Sequence, residues 1–78
     1  MRDAVLELMN VLAEGANADD DCADQLATIA ADALASGDGL IAAGMAALAR
    51  HHRVHALELR GKLAAVSAEY GGVFHHSL

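Results

Sequence analysis

Between Leu40 and Tyr70 the residues Ile41, Met45, Leu48, His52, His55, Leu59, Leu63, Val66 and Tyr70 recur at steps of three and four. That spacing places all nine on one helical face, so the C-terminal half reads as one long helix with an apolar stripe. At roughly 31 residues it would be about 46 Å long. The rest of the chain has to be arranged around it.

The chain has 78 residues, enough for a single domain (1–78) with a thin stability margin. Its apolar fraction is 55%, but nineteen of those residues are alanine, which favours helix and buries little area per side chain. Proline is absent, β-branched and aromatic residues are sparse, and no stretch alternates over strand length. The fold class expected is all-α, a small helical bundle of two short helices and one long C-terminal helix.

Asp3 can cap a first helix over about 3–14, with Val5, Leu8, Met9 and Leu12 as its stripe and Gly15 as its stop. Gly15-Ala16-Asn17-Ala18 then holds two residues that tolerate left-handed backbone, which suits a sharp turn. Asp19-Asp20-Asp21 stands where a second helix, about 20–36, would begin, and carboxylates there accept bonds from unpaired N–H groups. Cys22, Leu26, Ile29, Ala30 and Ala33 form the buried stripe of that helix, making the thiol a core group rather than a nucleophile.

Ser36-Gly37-Asp38-Gly39 reads as a helix stop followed by a new cap, a link short enough to make its two flanking helices antiparallel neighbours. The third helix, about 40–70, ends at Gly71-Gly72. A tail over 71–78 carries Val73-Phe74 as a possible hydrophobic plug.

Charge divides the chain in two. Residues 1–39 carry nine acids against Arg2, a net −8, whereas residues 40–78 carry four bases against Glu58 and Glu69, a net +2, with all five histidines. The halves attract, and Asp19, Asp20, Asp21 and Asp24 also form a surface that a basic partner could meet. A calcium loop is not indicated, because the acids lack the required spacing, glycine and late glutamate. Arg50, Arg53 and Arg60 share an arc, but four bases in an acidic chain without interleaved aromatics make a poor nucleic-acid footprint.

The single cysteine and the absence of an apolar run behind Met1-Arg2-Asp3 give a cytoplasmic expectation, and the longest apolar block, 40–49, is too short for a bilayer. His51, His55 and Glu58 form an i, i+4, i+7 row that could hold a metal ion, although the glutamate of a hydrolytic H-E-x-x-H motif is missing. His52 and His55 also lie in the apolar stripe. If they are buried and neutral there, charging them below about pH 6 loosens the packing.

Val54 and Leu57 point outward among the arginines, in line with alanines, as a second apolar strip. The functional expectation is a non-enzymatic acidic interaction module without cofactor, an adaptor or inhibitor of a larger protein with a basic, nucleic-acid-handling surface. A metal-binding helical protein is the alternative. Because two short helices cannot cover the long one, the nine-residue Ile41 to Tyr70 stripe is further expected to pair with a second copy as a homodimer interface.

Overall fold

The computed structural model describes the backbone of residues 2–76 and the side chains of residues 2–70. These residues form two helices, α1 (Arg2–Ala35, 34 residues) and α2 (Gly39–His76, 38 residues), packed along their length as a hairpin 58 Å long and 16 × 14 Å across. The all-α expectation holds. The division into two short helices and a long one does not, because α1 runs without interruption through both expected N-terminal helices.

Gly15-Ala16-Asn17-Ala18 is therefore helix and not a turn. Gly15 serves close packing here: a Cβ on it would stand 3.1 Å from Leu59 Cδ1, so the missing side chain leaves room for a leucine of α2. Ala16 is buried and Asn17 accepts a hydrogen bond from Arg60, so Gly15, Ala16 and Asn17 each serve the packing of the facing helix. Asp19-Asp20-Asp21 accordingly lies mid-helix and caps nothing. At the other end α2 continues through Gly71-Gly72 to His76, and the expected Val73-Phe74 plug lies outside the described side chains.

The link between the helices forms as its sequence implies. Gly37 has φ 82°, the left-handed region open to glycine, and lies two residues past the end of α1. Gly37 N–H bonds Leu34 O at 3.1 Å and Asp38 N–H bonds Ala33 O at 2.9 Å, the paired closing bonds of a Schellman turn. Asp38 then caps α2, its side-chain oxygen accepting from Ile41 N–H at 3.2 Å while its carbonyl accepts from Ala42 N–H at 3.0 Å. One residue thus closes one helix and opens the next.

Residues 5, 9, 12, 16, 19, 23, 26, 30 and 33 of α1 and 42, 45, 49, 52, 56, 59, 63, 66 and 70 of α2 are each buried or half-buried, at steps alternating between three and four. This is the heptad pattern of a coiled coil, in which two positions per seven residues, a and d, face the partner helix. From Ala16 onward on α1 and on the turn-proximal part of α2 the a positions are alanine. Ala16, Ala23, Ala30, Ala42, Ala49 and Ala56 are 0–9% exposed and line one side of the seam. Alanine lets the helix backbones approach, but each residue buries little area, so helix propensity carries part of the stability.

The length mismatch expected between helices is absent, since α1 and α2 differ by only four residues. Of the stripe assigned to a second copy, Met45, His52, Leu59, Leu63, Val66 and Tyr70 occupy the seam facing α1, and Ile41, Leu48 and His55 flank it exposed. Among the described residues no helix is long and apolar enough to cross a membrane.

Candidate functional site

Midway along the seam the apolar pattern breaks. Asp19, at a d position where a leucine would be ordinary, meets two histidines of α2: His52 Nδ1 lies 2.8 Å from Oδ1, and His55 Nδ1 closes on Oδ2. His52 and His55 are three residues apart, so one helical turn brings both imidazoles to the same carboxylate. Each donates its Nδ1–H, which fixes the nitrogen that carries a proton in the neutral ring. The His51 ring packs edge-on against His52 with centroids 5.7 Å apart, supporting its orientation from the outside.

The Asp19 carboxyl is held below its ordinary pKa, first by the hydrogen bond from His52, which acts against partial desolvation, and then by His55. Asp19 is the more enclosed member, with 14% of its side chain exposed against 31% for His52 and 51% for His55. The two histidines are thus neither fully buried nor unpartnered. The loosening expected from charging buried neutral histidines therefore lacks its premise, because both rings are partly exposed and hydrogen-bonded to a carboxylate.

The same region carries a second set of contacts, along the edge of the seam where the alanines lie. Arg60 reaches Asp20 at 2.6 Å and Asn17 at 3.1 Å, and Arg53 reaches Asp24 at 3.2 Å. The charge asymmetry of the sequence is therefore used inside the chain: three of the four aspartates assigned to a basic partner, Asp19, Asp20 and Asp24, are engaged by α2. Asp21 is exposed on the outer face of α1, in a row with Glu7 and Glu14 at intervals of seven.

The row His51, His55 and Glu58 does not assemble as a ligand set. His55 is turned to Asp19, and among the described residues no three His, Cys, Asp or Glu side chains are grouped to hold a metal ion. The two imidazoles and the carboxylate converge on one another, each nitrogen on its own oxygen, rather than around a common point. Cys22 is a half-buried free thiol on the flank of α1 next to the seam.

Val54 and Leu57 stand on the outer face of α2, 53% and 67% exposed. They belong to a longer row, Leu40, Ala43, Ala47, Arg50, Val54, Leu57, Gly61, Ala64 and Ala68, every member exposed and Arg50 alone charged. α2 is therefore apolar on two opposite faces, one packed on α1 and the other open. The sequence places Ala43, Ala46 and Ala64 in line with Val54 and Leu57; Ala43 and Ala64 belong to the row, Ala46 is half-buried beside the seam, and alternating steps of three and four over about eight turns were the signal for the remaining members. No protein-family model, curated protein or solved structure matches the chain.

Proposed function

We propose that the chain is a non-enzymatic helical-hairpin interaction module, an adaptor or inhibitor that presents the outer face of α2 to a larger protein. The observation that carries this reading is the second apolar row. A helix with a partner on one side has no intramolecular use for Leu40, Val54 and Leu57 at 87%, 53% and 67% exposure on the other. The small residues between them let an incoming helix or sheet approach closely, and Arg50, with Arg53 at its flank, supplies a polar border.

A basic target surface is a second element of the proposal, supported by the exposed Glu7, Glu14 and Asp21 row on α1. The test is binding of a candidate partner, captured from the native host and then purified, to the wild-type chain and to two variants. Val54→Asp with Leu57→Asp should abolish binding while far-ultraviolet circular dichroism stays helical. Glu7→Gln with Glu14→Gln and Asp21→Asn should weaken it only if the target is basic. Undiminished binding by the first variant would overturn the assignment to α2.

A further inference from the structure

The two sides of the helix–helix seam are not equally closed. Alanines at the a positions seal one side to 0–9% exposure, whereas Leu26 and Met45 at d positions on the other side are only half-buried. On the flank next to them, Ile29, Ile41 and Leu48 are 48%, 48% and 46% exposed, and Cys22 is half-buried. These six residues cluster in the turn-proximal half of the hairpin, on the side away from the Arg53 and Arg60 contacts. Next along that side, away from the turn, comes the Asp19–His52–His55 group.

The exposed area is large for the mass. A compact monomer of this size exposes roughly 4,450 Å², while this chain of 8.0 kDa exposes 5343 Å². The excess, about 900 Å², is close to the roughly 800 Å² that each partner contributes to a standard interface. Apart from Val5 and Leu12, every buried apolar residue among the described residues is an alanine, so the hairpin encloses little core of its own.

We propose that this open side packs against the same side of a second copy, completing a four-helix bundle. On α1 the open side stays apolar as far as Leu8, but on α2 the flank is apolar only in the turn-proximal half, at Ile41 and Leu48, and polar beyond it at His55 and Lys62, so burying the α2 part of the cluster favours both turns at the same end, with the two-fold axis along the bundle. That arrangement sets α1 of each copy against α2 of the other, so the half-chain of net −8 faces the half of net +2; the opposite orientation would place α1 on α1. It also encloses both Asp19 groups. The proposal uses a different face from the outer row of α2 and stands or falls independently of the proposed function.

Sedimentation equilibrium on the wild-type chain, with helicity followed in parallel, tests the association. A dimer mass at tens of micromolar is expected, and a monomer mass with intact helices overturns the proposal. Leu48→Asp should weaken dimerisation by roughly 30-fold or more, while Val54→Asp on the outer face leaves it unchanged; equal effects of the two would assign the contact to the wrong face. A spin label on Ser36→Cys in a Cys22→Ala background, in which sedimentation equilibrium first verifies the dimer mass, reads the orientation. An inter-copy distance far below the 58 Å length of the hairpin is expected, and one approaching that length overturns the same-end arrangement.

Discussion

Asp19 holds a seam position where a leucine would pack, and His52 Nδ1 meets it at 2.8 Å from the opposite helix. The pair gives the hairpin a fixed register, since only one sliding position of α1 on α2 lets His52 and His55 both reach one carboxylate. An all-alanine seam would allow neighbouring registers at similar energy.

The lowered Asp19 pKa fixes the sign of a pH effect. A carboxyl whose folded value lies below its unfolded value of about 3.9 contributes stability that is fully present above that value and is lost as pH falls through the folded one. Asp19→Asn should therefore lower the melting temperature at pH 7, and the two proteins should converge once the pH drops below the Asp19 range. Thermal melts across pH 2–8 check this; identical melts at pH 7 would show that the pair adds nothing to stability.

The exposed ion pairs should matter much less. Arg60 and Asp20 lie 2.6 Å apart, but their side chains are 42% and 36% exposed, so water screens the attraction. Arg60→Ala should cost no more than about 1 kcal/mol, with most of that gone in molar salt. Urea denaturation at low and high salt measures it.

How far this structure was legible in the sequence depended on whether a residue acts locally or across the seam. Gly37 and Asp38 were legible because a helix stop and a cap are set by the few residues around them. Gly15, Asn17 and Asp19 were misread because their local preferences favour a turn or a cap, while their actual partners, Leu59, Arg60 and His52, lie more than thirty residues away. The alternating steps from Val5 to Ala33 pass straight through them, and that period outweighs the local turn signals. Six of the nine stripe residues of α2 do face α1, but Ile41, Leu48 and His55 stand exposed where the neighbouring Ala42, Ala49 and Ala56 are buried, and the stripe's partner was assigned to another molecule because α1 had been cut in two.

The glycines separate by environment. A Cβ at Gly61 meets nothing within 4 Å and its backbone is helical, so Gly61→Ala should raise stability by about 0.5–1 kcal/mol. Gly37 is equally open but sits at φ 82°, so Gly37→Ala should lower stability by about 1 kcal/mol despite the empty space. Opposite shifts in urea midpoint are expected, and a gain at Gly37 would contradict the closing turn.

The seam itself gives the largest expected effect. Ala23 and Ala56 are both 0% exposed, one on each helix, and close helix approach depends on their having no side-chain atoms beyond Cβ. Leucine at either position adds three carbons where no space exists, so the helices must separate or the side chain must leave its preferred rotamers, at a cost of about 1–3 kcal/mol. Separation would also lengthen the Asp19 contacts, adding to the loss. Ala47→Leu, on the exposed outer row of α2, supplies the control because it adds the same atoms without touching the seam. Denaturation midpoints should fall for Ala23→Leu and Ala56→Leu and hold for Ala47→Leu. If all three behave alike, the alanines are present for helix propensity alone and the close seam does not limit their size.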